Sequence, residues 1–138
     1  MKRYELIEHT ADLGIRVWGK DLNSLFLNAS IGMYSLIADI KKVSPKQQFN
    51  IELKADDKDE LLKDWLSELL YYFNVKSTLL SKFSIEYIDD KHIKSRVSGE
   101  KINEDKHILR HEIKAVTYHN LRIEEKNSLL TTEIIFDV

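Results

Sequence analysis

From Tyr4 the chain reads as a short strand, Tyr4-Glu5-Leu6-Ile7-Glu8. It is interrupted by the polar stretch His9-Thr10-Ala11-Asp12-Leu13-Gly14 and resumes as the alternating run Ile15-Arg16-Val17-Trp18, up to Gly19. The interruption predicts a turn. Thr10 and Asp12 can bond neighbouring backbone N–H groups, and Gly14 can take a positive φ without a side-chain penalty. Asp21 stands where a helix N-cap belongs, and Leu22, Leu25, Phe26, Ala29, Met33, Leu36 and Ile37 follow at helical spacing. This amphipathic helix should end near Asp39-Ile40, because Val43-Ser44-Pro45 brings the single proline and an extended backbone before it.

Gln48 to Lys54 alternates with period two and predicts a strand with Phe49, Ile51 and Leu53 inward. Asp57 and Glu60 then have capping-box spacing at an acidic helix start. The helix they open has a wide apolar face of Leu61, Leu62, Trp65, Leu66, Leu69, Leu70, Tyr72 and Phe73, so most of it should be buried against a sheet. Glu60, Asp64 and Glu68 form a carboxylate row that reads as a solvated face, with a docking surface for a basic partner as the competing reading.

Beyond Phe83 the pattern is strands. Phe83 to Tyr87 alternates, Asp89-Asp90 marks a hairpin, and His92 to Ile102 returns with Gly99 as an expected bulge. Glu112 to Tyr118 and Asn120 to Glu124 are further strand segments, and Lys126-Asn127 turns the chain into a closing strand, Leu129 to Val138. Strand, helix and following strands thus occur twice, over Gly14 to Leu53 and Phe49 to Ile102. The expected class is α+β: two helices on a curved, largely antiparallel sheet built from duplicated strand-helix-strand-strand units. The sequence itself shows no internal repeat, linker or low-complexity tract.

At 138 residues the chain suits one domain, 1–138. Charged residues make up 32% with a net charge of −2, so no overall field draws it to nucleic acid and a stand-alone RNA-binding module is disfavoured. The absence of cysteine excludes disulfides, thiolate metal sites and cysteine catalysis. No apolar run approaches membrane-spanning length and the N-terminus lacks a signal-peptide core, so the expected location is the cytoplasm.

Candidate chemistry lies at the two ends. Phe136-Asp137-Val138 places an Asp side chain one residue from the α-carboxylate. If the fold brings them to Asp12, three hard oxygen ligands converge, a set that suits calcium or magnesium better than zinc. Such an ion could fasten the closing strand or work on a partner, and ligand identity does not distinguish the two. Of the histidines, His107, His111 and His119 are spaced for a helix, but the surrounding period is two, and His107 falls in a loop. There is no P-loop, nucleophile elbow or dinucleotide fingerprint, and no general base with a defined partner. Read from the residues alone, the chain looks more like a binding or accessory module than an enzyme.

Five stretches taken together resemble archease: His9 to Gly14, Asp64-Trp65-Leu66-Ser67-Glu68-Leu69-Leu70, Ser98-Gly99-Glu100, Arg110 to His119, and Phe136-Asp137-Val138. The resemblance runs from end to end, departing at Asn74 and Val75, where a more acidic or polar helix end is expected. It implies a non-enzymatic accessory factor of the RtcB-type tRNA-splicing ligase. Such a factor forms a transient complex that promotes guanylylation and turnover of the ligase and can broaden its nucleotide specificity. It would meet tRNA only indirectly, with no small-molecule substrate and no membrane. The family's metal ligands carry over onto Asp12, Asp137 and Val138, with a divalent ion usually described as calcium. The alternative role proposed for the family is a chaperone-like modulator of an RNA-modifying enzyme such as a tRNA methyltransferase.

Overall fold

The computed structural model describes residues 3–8, 12–118 and 121–138. His9-Thr10-Ala11 of the predicted turn, together with His119 and Asn120, lie outside the described residues. The elements are β1 (Tyr4–Glu8), β2 (Leu13–Gly19), α1 (Leu22–Ile37), β3 (Gln47–Lys54), α2 (Lys58–Asn74), β4 (Thr78–Ile88), β5 (His92–Lys101), β6 (Ala115–Val116), β7 (Glu124–Lys126) and β8 (Leu129–Asp137). The class is α+β, with two α-helices and antiparallel pairing in every ladder among the described residues. The strands divide between two sheets. One runs β1-β2-β8-β6, with β7 also on β8, and the other runs β3-β5-β4.

Both helices touch both sheets, which explains why their apolar faces are wide: α1 packs on β1, β2, β8 and β4, and α2 on β3, β4 and β6. Asp21 caps α1 as its spacing predicts, accepting from the Ser24 N–H at 2.9 Å. Asp57 caps α2 by accepting from the Glu60 N–H at 2.9 Å, while Glu60 reaches back to the Asp56 N–H at 3.3 Å. Two buried polar links lock helix to helix. The Tyr34 hydroxyl donates to the Leu69 carbonyl at 2.6 Å, and burial raises the Tyr34 pKa well above that of a free phenol. The Trp65 indole N–H donates to Ser30 Oγ at 2.9 Å, and Ser30 in turn donates to the Phe26 carbonyl.

Several strand limits differ from those the periodicity suggests. β4 begins at Thr78 rather than Phe83, because Thr78, Leu79 and Leu80 are all buried and so do not alternate. The irregularity expected at Gly99 belongs to its partner: the β4–β5 register slips between Leu80 and Lys82, opposite Gly99 and Ser98. Gly99 is required because a Cβ there would lie 1.8 Å from the Leu79 carbonyl oxygen. Gly14 likewise serves close packing. No described glycine has a positive φ, and Gly14 sits inside β2 where a Cβ would meet Ile135 at 2.8 Å.

Of the predicted strand 112–118 only Ala115–Val116 pairs; its buried residues, Ile113 and Val116, are three apart rather than two. Of the predicted strand from Asn120 to Glu124, the described residues 121–123 are not in a strand, and the next one is Glu124–Lys126. The β7–β8 hairpin turns on Asn127 and Ser128, both at positive φ (52° and 66°), the handedness that tight antiparallel hairpins need.

Candidate functional site

β2 and β8 pair from Gly19↔Leu130 to Leu13↔Phe136. Asp12 directly precedes Leu13 and Asp137 directly follows Phe136, so both carboxylates leave the same end of this ladder. On the other side of β8, Ala115 pairs with Asp137 and the Lys114 N–H donates to the Asp137 carbonyl at 2.7 Å. The fold therefore brings the predicted Asp12, Asp137 and Val138 to one end of the five-stranded sheet. Antiparallel neighbours at such an end come within about 4.5–5.5 Å at Cβ, where two carboxylates repel.

Among the described residues no three His, Asp or Glu side chains are placed so that they could hold a metal ion. A third acidic oxygen at this end would therefore have to be the α-carboxylate of Val138, which is 42% exposed and open to solvent. All these donors are hard oxygens, a chemical fit for calcium or magnesium.

The segment around Arg110 is held in place by the C-terminal ends of both helices. The Arg110 N–H donates to the Ile37 carbonyl at 2.7 Å and its guanidinium to the Ser35 carbonyl at 3.2 Å. A cation thus arrives from elsewhere at the negative end of α1, whose own last turn has no basic residue. At the end of α2 the Asn74 amide donates to the Ile113 carbonyl at 3.2 Å. A carboxylate could not make that bond, which accounts for an amide at this position. From these anchors the chain passes through Lys114 to the Asp137 end of β8.

A second cluster, which the sequence did not reveal as one, surrounds Glu100. This carboxylate is only 6% exposed. Its Oε2 accepts from Lys106 Nζ and the Ser44 N–H, both at 2.7 Å, and from His107 Nε2 at 3.0 Å. Lys46 stands 3.6 Å from Oε1. The Lys106 hydrogen bond, then the Ser44 N–H and His107, outweigh burial and lower the Glu100 carboxyl to about 2. His107 Nδ1 accepts from the Asn103 N–H at 3.0 Å, so its proton is on Nε2, directed at Glu100. Lys106 and His107 lie six and seven residues from Glu100 across a loop and Ser44 lies 56 away, with no periodicity to signal the contacts. Every interaction of the cluster is internal, and it ties the 43–46 and 103–107 loops to the end of β5.

The Glu60, Asp64 and Glu68 row is half-buried rather than fully solvated. Beside it, the Tyr118 phenol is raised above its ordinary pKa, first by burial and then by Asp64, Glu60 and Asp57. Lys63 lies over the Tyr118 ring at 4.6 Å.

Residues 4–138 match the model of the Archease protein family (MTH1598/TM1083). The chain belongs to the archease family. It is 36% identical to the archease of Sulfurisphaera tokodaii, with all of both chains covered, and 38% identical to that of Methanosarcina mazei over 99% of this chain and 97% of that one. The solution structure of Methanobacterium thermoautotrophicum protein 1598 superposes with a TM-score of 0.82 at 33% identity, covering all of both chains. A Thermotoga maritima crystal structure described as an archease and possible chaperone shares the fold, with a TM-score of 0.68 at 20% identity over 96% of this chain and 94% of that one. No described helix is long and apolar enough to cross a membrane.

Proposed function

We propose that this protein activates an RtcB-type RNA ligase, promoting its guanylylation and turnover through a transient protein complex, and that it is not itself a ligase. The supporting observation is membership of the archease family along nearly the whole chain, joined to the β2–β8 register, which starts next to Asp12 and ends next to Asp137 at the same end of the sheet. In this reading Asp12, Asp137 and the Val138 carboxylate hold a divalent ion, calcium by preference. The ion neutralises their mutual repulsion and leaves the sheet end able to meet a phosphate or a carboxylate of the ligase. Lys114 and the Arg110 anchor hold β6 against that end, so the protein's own part is to keep the oxygen donors in place.

The test is single-turnover guanylylation of the cognate ligase with and without the protein, repeated with Asp12→Ala. Asp12 lies outside the regular strands, so the substitution removes an oxygen without creating a core cavity. The wild type should raise the guanylylation rate and gain thermal stability with calcium by mass action, and the variant should gain less. If the ion acts on the ligase, saturating folded variant still fails to stimulate. Full stimulation by folded Asp12→Ala at wild-type concentrations would sink this role for the site. The second reading, a chaperone-like modulator of an RNA-modifying enzyme such as a tRNA methyltransferase, predicts no change in the guanylylation rate.

A further inference from the structure

The ion cluster at Glu100 fixes a loop whose next residue stands in the open. Ile108 is 78% exposed, and no large apolar side chain among the described residues is more so. Single exposed apolar side chains are common on protein surfaces, but this one is held from both sides. Before it, the His107 N–H donates to the Asn103 carbonyl at 2.7 Å, and the buried His107 ring is bonded to Glu100 and to the Asn103 N–H. After it, Leu109 forms an antiparallel bridge with Ala38, and the Arg110 N–H donates to the Ile37 carbonyl at 2.7 Å. The loop thus presents a β-branched side chain, stiff at χ1, from a fixed backbone. Burying it on a partner would gain apolar contact while ordering little, which is what pre-organisation contributes to binding.

The charge beside Ile108 is a second, independent observation. Ile108 borders a hollow of about 100 Å3 whose charged lining is Asp39, Lys42, Lys106 and Arg110. Small-molecule sites run to roughly 300–1,000 Å3, so this one suits the end group of a single side chain. Neither Lys42 nor Arg110 has an ion-pair partner among the described residues. Lys106 pairs with Glu100, which Lys46 also faces, and Asp39 accepts from the Lys41 N–H at 3.2 Å. With every ion-pair partner of the lining counted, four cations, Lys42, Lys46, Lys106 and Arg110, stand against two carboxylates, Asp39 and Glu100. Glu104 and Asp105 line a different hollow together with Lys46 and Lys101, and Glu112 shares another cavity with Arg110 without forming an ion pair to it.

We propose that Ile108 and this hollow form a docking surface for a protein partner that offers an apolar pocket with a carboxylate side chain beside it. The pocket takes Ile108, and the carboxylate enters between Lys42 and Arg110. Resting on the function proposed above, that partner is the RNA ligase. Arg110 gives one guanidinium N–H to the Ser35 carbonyl and keeps others for a carboxylate, while Lys42 adds a mobile point charge. The apolar anchor supplies affinity, and the charges beside it fix the orientation of the complex. The chain from Ile108 to Lys114 spans at most about 20 Å even when fully extended. Since the Lys114 N–H donates to the Asp137 carbonyl, a ligase seated on Ile108 also reaches the Asp12–Asp137 end.

The test measures binding to the ligase by biolayer interferometry and, separately, the guanylylation rate against protein concentration. Ile108→Asp, a change to an exposed side chain, should weaken ligase binding at least tenfold, and Lys42→Glu severalfold, with both melting temperatures unchanged. The concentration giving half-maximal stimulation should rise by the same factors while the maximal rate stays at the wild-type level, unlike Asp12→Ala. Ile108→Asp binding as tightly as the wild type would overturn the docking surface and leave the ligase-activating role standing. A wild type that binds the ligase without raising its guanylylation would do the reverse, and one that does not bind it would overturn both. Unchanged binding in Lys42→Glu would overturn the carboxylate as part of the partner's chemistry. A wild-type dimer that Ile108→Asp dissolves, with ligase binding unaffected, would give the surface to a second copy and overturn the ligase as its occupant.

Discussion

Replacing Glu100 by Gln keeps the shape of the side chain and removes its charge, which isolates what the ionised carboxylate contributes. In the folded protein this carboxyl sits at about 2 against an ordinary 4.5. At about 1.4 kcal/mol for each tenfold change in proton affinity, that difference sets a ceiling of ~3 kcal/mol. Lys106 is 39% exposed and Lys46 is 71% exposed, so solvent screens part of the attraction and the expected loss at neutral pH is about 1–3 kcal/mol. The sign follows from the direction of the shift. A folded pKa below the unfolded one gives stability that is fully present above about 4.5 and is lost as the pH falls toward 2. The assay is urea denaturation of wild type and Glu100→Gln at pH 7, 4 and 2.5. The gap between their midpoints should be widest at pH 7 and shrink steadily through the acid range. Equal midpoints at pH 7, or a gap that does not change with pH, would refute the assignment of this stability to the ionised carboxylate.

Trp65→Ala should cost ~3–5 kcal/mol, since the indole is wholly buried and its loss also removes the N–H that donates to Ser30 Oγ; an unchanged urea midpoint would contradict this. Gly99→Ala should destabilise by ~3 kcal/mol, because the new methyl collides with the Leu79 carbonyl, and amide exchange should quicken along β4 and β5 if the ladder parts there. A short C-terminal extension turns the Val138 carboxylate into an amide and should weaken calcium binding in a calorimetric titration. Equal affinity with and without the extension would remove Val138 from the proposed site.

Local chemistry was readable wherever one element decides its own form. The caps at Asp21 and Asp57, the helices behind them and the hairpin after Ile88 follow from side chains within a few residues of each other. Repeating apolar positions also identified the core of both helices, since Leu25, Ala29, Trp65 and Leu69 are fully buried. Periodicity failed where a strand has both faces covered, as at Thr78 to Leu80, and where a segment is held by bonds to helix ends rather than by a ladder, as at 109–114.

By itself the sequence determined the α+β class, the helix starts, the family, and the residue types at the acidic end. Tertiary structure decided which of those residues meet. Asp12 and Asp137 are 125 positions apart, and only the β2–β8 register sets them at one sheet end. Glu100 became a buried anion because two loops delivered Lys106, His107 and the Ser44 N–H to one of its oxygens. Asn74 acquired its role only when the 113–114 carbonyls came to lie against the end of α2. Capping and amphipathic spacing act over three or four residues and so leave a pattern in the chain. Ion pairs and cross-strand neighbours depend on distances in space that the order of residues along the chain does not record.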